Sequence, residues 1–190
     1  GDEPIVFSTL SGDLTAGRNG QLIELDFPAR RARECSPSDA VNAAIGAQPT
    51  ATLVFEGPNG DQYLLELATE ANVREAAPDF PALAATGARA VVVTARSESK
   101  QYDFVSRFFG PNVGIDEDPV TGAAHCVLGP YWAEKLGRKE LRGYQVSARG
   151  GEARAEALCA AAAGRRTLPA RDVGDPRMPA RAQTVRPPST

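Results

Sequence analysis

The chain has 190 residues, 42% of them hydrophobic, and a formal net charge of −3. That length suits one ordinary domain or two small lobes with a real core, and the slight acidity excludes the basic footprint of a nucleic-acid binder. No stretch reaches the roughly 18 apolar residues of a membrane helix, no signal peptide is visible, and the three cysteines (Cys35, Cys126, Cys159) are odd in number and scattered, which points to thiols in a reducing, cytoplasmic setting. With one histidine and no cysteine pair at ligand spacing, a classical zinc site is not expected.

The chain begins with a β-meander pattern. Ile5–Leu10 reads as a strand, residues 11–13 as a turn, and Leu14–Gly17 as a second strand. Asn19-Gly20 between alternating runs is a strong hairpin signal, and Gln21–Phe27 alternates polar and apolar residues as a half-buried strand does. Residues 29–36 are charged and irregular and suit a linker. Ser36-Pro37-Ser38-Asp39 opens a short helix to about Gly46, Pro tolerating a first turn. Thr50–Glu56 and Gln62–Ala68 form a strand pair around a Gly-Pro-Asn-Gly-Asp turn, and Ala71–Glu75 and Pro81–Ala85 are short helices. Ala88–Ala95 is a Val-rich buried strand, Tyr102–Phe109 another, and Arg142–Ala148 a third. Arg149–Glu152 reads as a turn, with a weak strand after it.

Between the last two strands lies Gly114-Ile115-Asp116-Glu117-Asp118-Pro119-Val120-Thr121-Gly122-Ala123-Ala124-His125, which opens an apolar helix over about 121–137. Thr121 is placed as its N-cap, the hydroxyl accepting from a backbone N–H that the helix leaves unpaired. The residues after it are so small that a ligand can approach the N–H groups of Gly122, Ala123 and Ala124. A helix N-terminus of this kind attracts a carboxylate or phosphate. Three carboxylates beside an anion site point to proton transfer on a small acid.

Many antiparallel-looking strands and one well-marked late helix do not give the alternating pattern of a parallel α/β sheet. They predict an α+β fold, a curved, mostly antiparallel sheet wrapped around a central helix. From Ala160 to Thr190 there are six arginines, two aspartates, five prolines and hardly any large apolar residue. Residues 159–190 are therefore expected to be disordered. A natural tail and a shifted or misjoined reading frame both fit that composition.

The motifs Phe104-Val105-Ser106-Arg107-Phe108-Phe109-Gly110-Pro111, Gly114–His125, Pro130-Tyr131-Trp132 and Tyr144–Gly151, with Ser11-Gly12-Asp13-Leu14 and Leu25–Ala29 upstream, resemble the phenazine-biosynthesis (PhzF-like) isomerase family over roughly residues 4–152. The resemblance implies a fold similar to diaminopimelate epimerase: two pseudo-symmetric lobes, each a sheet around a helix, with a cleft between them. It implies proton shuttling at carbon on a small carboxylate-bearing substrate, without metal or organic cofactor. On this reading 1–28 are the closing strands of a first lobe, 29–37 a linker, 38–158 the second lobe and 159–190 an aberrant or disordered tail. The chain then corresponds to the C-terminal two thirds of such a protein.

The resemblance makes Asp118 the substrate-facing carboxylate that supports proton transfer, and Thr121, Gly122 and Ala123 the substrate-binding residues. Glycine at 122 matches a family position whose N–H meets the substrate carboxylate, whereas Ala123 stands where the family usually has serine. Two further family features, an acid/base glutamate and a Cys-Gly-His-Ala-Thr-like segment, belong upstream of the matched region and have no match here. An inactive remnant that binds an anion weakly is therefore the competing expectation. Asp116 and Glu117 are read as solvated turn charges or lid contacts, and Arg107 as a structural ion-pair partner. His125, Cys126, Tyr131 and Trp132 are read as core. An isolated second lobe would expose its lobe interface and is expected to self-associate, as a homodimer or more.

Overall fold

The computed structural model describes residues 5–9, 12–19, 22–26, 29–36, 38–57, 60–156 and 183–185. Strands β1 (Ile5–Thr9), β2 (Gly12–Asn19) and β3 (Leu22–Asp26) form the expected meander. Asn19 faces Leu22 at the Asn-Gly hairpin. The linker contributes a two-residue strand, β4 (Arg33–Glu34), which pairs with β5 (Ala51–Gly57) and forms one edge of the sheet. Both its residues are exposed and charged, a combination that discourages pairing with another chain.

Helix α1 (Asp39–Ile45) is capped by the Ser38 hydroxyl, which accepts from Val41 N–H, and ends on Gly46 at φ 72°. Helices α2 (Glu70–Glu75) and α3 (Phe80–Ala85) lie in the connection between β6 (Gly60–Glu66) and β7 (Ala90–Arg96). Their N-caps, Thr69 and Asp79, accept from the third helical amides, those of Asn72 and Ala82, as short polar side chains do at helix starts. Strand β8 (Phe104–Gly110) precedes a 3₁₀ turn at Pro111–Val113 and then β9 (Ile115–Asp118). Helix α4 (Gly122–Leu136), β10 (Glu140–Gln145) and β11 (Gly151–Glu156) follow. Strand β12 (Gln183–Val185) sits between β11 and β3. It is the described part of the segment expected to be disordered; the rest, with Cys159, lies outside the described residues.

The sheet runs β1-β2-β3-β12-β11-β10-β8-β7-β6-β5-β4, with β9 on β8. Pairing is antiparallel except at β6–β7 and β8–β10. Each parallel pair needs a long crossover: α2 and α3 make the first, β9 and α4 the second. The fold is the expected α+β type, with two parallel pairs within a mostly antiparallel sheet.

Side chains alternate across a strand, and β7 shows both outcomes. Val91, Val93 and Ala95 pack with α1–α3 on one face, while Ala90 and Val92 pack with α4 on the other. A strand buried on both faces reads as a continuous apolar run. On the α4 face the Phe104 and Trp132 rings stack, with centroids 5.9 Å apart. Trp132 Nε1 donates to Thr94 Oγ1 at 3.0 Å, and that hydroxyl donates to Val105 O at 2.7 Å. Truncating a side chain as deeply packed as Trp132 costs about 3–5 kcal/mol. Gly143 leaves room for this stack, because a Cβ there would lie 2.5 Å from the Phe104 ring.

Candidate active site

The site is built where β9 turns into α4. Strand β9 pairs with β8, Phe108 opposite Asp118 and Phe109 opposite Glu117. Asp118 is half-buried and its carboxylate accepts the Thr121 hydroxyl at 2.6 Å. Thr121 holds the N-cap position with extended backbone (φ −109°, ψ 102°), but its hydroxyl does not cap the helix. The expected cap bond is therefore corrected: the Thr121 side chain is turned so that its proton goes to Asp118 and its oxygen lies 3.3 Å from Gln145 Nε2, and the oxygen accepts from no amide of α4.

Among the described residues no side chain caps α4, so its first amides depend on other partners. Gly122 is half-buried, Ala123 exposed and Ala124 buried. The open end of a 15-residue helix, two small residues and the Asp118–Thr121 pair thus meet at one place. An anion can reach the N–H groups of Gly122 and Ala123 without displacing a side-chain cap.

Behind the turn, Gln145 is fully buried (0% exposed). Its Oε1 accepts from Thr121 N–H at 2.8 Å and its Nε2 donates to the Asp118 carbonyl at 2.5 Å. Ser147 Oγ donates to the Pro119 carbonyl at 2.7 Å. Both residues belong to the Tyr144–Gly151 motif, but nothing in the sequence assigned them a site role, since their partners lie 24 to 28 residues away.

Glu117 is not a solvated turn charge. Its carboxylate takes a two-pronged bond from Arg107, Nε at 2.7 Å and Nη2 at 2.9 Å. Arg107 Nη1 also donates to the carbonyls of Val73, Arg74 and Ala76 at the end of α2. The expected structural ion pair of Arg107 is present, and it ties the strand carrying Asp118 to α2. Asp116 is exposed.

His125 is buried at 1% exposure. Its Nδ1 lies 2.8 Å from the Thr121 carbonyl. A carbonyl only accepts, so Nδ1 carries the proton. Burial pushes the ring's pKa below the ordinary 6.5, outweighing the carbonyl, which favours the charged form. Nε2 then has no hydrogen-bond partner among the described residues. Burial likewise raises the Cys126 thiol to about 11, beyond the small lowering by Arg30, so it is not a thiolate nucleophile. Both residues fit the expected core role. Tyr131, whose hydroxyl donates to Glu66 at 2.5 Å, and Trp132 pack at the far end of α4. Among the described residues, no three of His, Cys, Asp and Glu gather as metal ligands would, and no helix is long and apolar enough to cross a membrane.

A mixed, mostly antiparallel sheet with helices on both faces, and an acidic strand feeding the N-terminus of α4, is the α+β arrangement of the phenazine-biosynthesis fold class. The sequence profile described as phenazine biosynthesis-like protein matches residues 1–166, and the chain belongs to this PhzC-PhzF family. It is 45% identical over 152 residues to an uncharacterized isomerase of Halalkalibacterium halodurans, covering 79% of this chain and 56% of that protein. A second uncharacterized isomerase, from Pseudomonas aeruginosa, is 46% identical over 154 residues, covering 80% and 57%. The crystal structure of a PhzF-family phenazine biosynthesis protein from Enterococcus faecalis superposes with a TM-score of 0.72 at 36% identity, covering 81% of this chain and 57% of that one. The chain spans little more than half the length of these relatives.

Proposed function

We propose that this chain supplies the substrate-holding lobe of a PhzF-like isomerase that moves a proton on a small carboxylate-bearing metabolite, in a cytoplasmic biosynthetic step. The N–H groups of Gly122 and Ala123 bind the substrate carboxylate. Asp118, oriented by Thr121, faces the substrate and supports the proton transfer. No metal or organic cofactor enters this reading. The observation that carries it is the Thr121 side chain turned onto Asp118, 2.6 Å away, with no described side chain capping the start of α4.

The isomerase names of the two bacterial relatives support the reaction class. The proton-carrying glutamate of the family pattern has no match in these 190 residues, so turnover is proposed for an assembly that adds it. Substrate holding is proposed for the chain itself. Acetate and benzoate titrations followed by amide NMR test the second statement: the Gly122 and Ala123 resonances should move most and saturate. Unmoved resonances would sink the anion site. Deuterium uptake from D2O at the α-carbon of a panel of amino and hydroxy acids tests the first, with Asp118→Asn as the silent control. No uptake in an assembly containing the glutamate would leave an inactive remnant.

A further inference from the structure

A fully buried carboxamide must find partners for two donors and an acceptor. At Gln145 every bond goes to one four-residue link. Oε1 takes the Thr121 N–H at 2.8 Å, and Nε2 gives to the Asp118 carbonyl at 2.5 Å and lies 3.3 Å from Thr121 Oγ1. The residues at the two ends of this link, Asp118 and Thr121, are also joined by their side chains.

The interior of the link is seated by the same hairpin. Ser147 holds the Pro119 carbonyl, and Val120 packs so closely on Gly151 that a Cβ there would lie 2.0 Å from Val120 Cγ2. Pro119 itself has no N–H with which to organise the turn. The angle between β9 and the axis of α4 is therefore held from the β10–β11 hairpin as well as by the local Asp118–Thr121 bond.

We infer that Gln145 is a positioning residue for this site, its carboxamide setting the direction in which Asp118 and the first amides of α4 are presented to a ligand. The inference rests on the anion-site reading above. It touches no ligand itself. Both functions of the amide are needed, one donor and one acceptor in fixed places. An ionised carboxylate of the same shape keeps the acceptor for Thr121 N–H but turns a second acceptor on the Asp118 carbonyl. A neutral carboxyl restores the donor.

That difference gives a test in the full 190-residue chain with Gln145→Glu. At neutral pH the Gly122 and Ala123 amide resonances should be displaced from those of the unaltered chain, and acetate should bind about tenfold more weakly, the effect of losing one hydrogen bond to a buried partner. As pH falls and the introduced carboxyl takes its proton, both should return. The titratable groups facing this position are Asp118 and His125, the latter bonded to the Thr121 carbonyl. Their own titration is removed by comparison with the unaltered chain.

A folded Gln145→Glu chain whose Gly122 and Ala123 resonances match the unaltered chain at neutral pH would overturn the inference. If the variant does not fold, hydrogen exchange in the unaltered chain decides it: a slowly exchanging Thr121 amide supports the bond to Oε1, and a fast one refutes it. If the unaltered chain shows no acetate binding, the anion-site reading fails on its own. The pH-reversible displacement still supports the positioning role in that case, and its absence still refutes it.

Discussion

The backbone N–H of Arg30 donates to the carbonyl of Cys126 at 2.8 Å. In an uninterrupted helix that carbonyl would accept from residue 130. Residue 130 is proline, inside α4, and has no N–H to give. A proline that would otherwise leave an orphan acceptor in the core helix instead makes a docking point for the segment between the meander and the second part of the sheet. The helix and the linker are thereby specified together.

Replacing Pro130 by alanine separates these two effects. The helix gains an amide and a better helix former, worth up to about 3 kcal/mol in an interior position. The new N–H competes with Arg30 for the Cys126 carbonyl. Global stability to urea is expected to rise by about 1–3 kcal/mol, while the Arg30 amide exchanges its hydrogen several-fold faster. Unchanged exchange at Arg30 would show that the bond does not depend on the proline.

Arg107 joins three elements through one guanidinium: Glu117 on β9, the α2 carbonyls, and the Phe109 ring, 4.8 Å away. Its side chain and that of Glu117 are only 14% and 22% exposed, so the pair is little screened. Lysine has no planar fork and cannot serve all these partners. Arg107→Lys is expected to cost about 2–4 kcal/mol in chemical denaturation, with Glu117→Gln costing less in the Arg107→Lys background than in the unaltered chain. A loss under about 0.5 kcal/mol, the range of ordinary surface changes, would reduce Arg107 to a surface charge.

The start of α4 was legible because its signals are local: an acidic run, then Pro-Val-Thr-Gly and small residues. The same locality misled the reading of Thr121, since composition cannot say that its hydroxyl turns back to Asp118. Gln145 and Ser147 were legible as part of the Tyr144–Gly151 motif but not as parts of the site, because strand register, not sequence neighbourhood, delivers them. The parallel β6–β7 pair was missed although both crossover helices were legible, because two six-residue helices do not make the single long helix by which a βαβ crossover is recognised. The Val-rich run of β7 was easy to read because both of its faces are buried.

His125 ties stability to pH. Its folded pKa lies below the 6.5 of an ordinary histidine, chiefly through burial. Below about pH 6.5 the unfolded chain binds the proton and the folded chain resists it, so stability falls as pH falls through that value toward the folded pKa, with a slope of at most about 1.4 kcal/mol per pH unit. Glu70 acts in a lower window: burial raises its pKa, but the Glu98 N–H, Arg74 and Ser97 outweigh it and hold it below 4.5, so its contribution is lost in stronger acid. His125→Asn keeps a donor near the Thr121 carbonyl and cannot titrate. Urea midpoints between about pH 5 and 6.5 should slope in the unaltered chain and flatten in the variant. Equal slopes would place the titrating group elsewhere.

Strand β1 is the other edge of the sheet, and three consecutive residues on it are open to solvent: Ile5 at 60%, Val6 at 59% and Phe7 at 50%. Apolar side chains on both faces of an edge strand favour pairing with another chain. The 190-residue chain is expected to sediment as a concentration-dependent dimer or larger species, and Val6→Lys to shift it toward monomer. A monomer at every concentration would remove self-association from the account.

Ala123 is exposed on the first turn of α4, where the family pattern has serine. On the proposed anion-site reading its N–H serves a ligand with or without a hydroxyl, so alanine weakens that site without abolishing it. Ala123→Ser adds a donor beside the Gly122 amide at no cost to the core. It should tighten acetate binding by about 1 kcal/mol, roughly fivefold, measured by calorimetry. The same change combined with Asp118→Asn distinguishes holding from proton transfer: the gain in affinity should persist while deuterium uptake by the glutamate-containing assembly is lost. If serine leaves affinity unchanged, the carboxylate does not lie against the start of α4, and the site assigned to Gly122 and Ala123 must be moved.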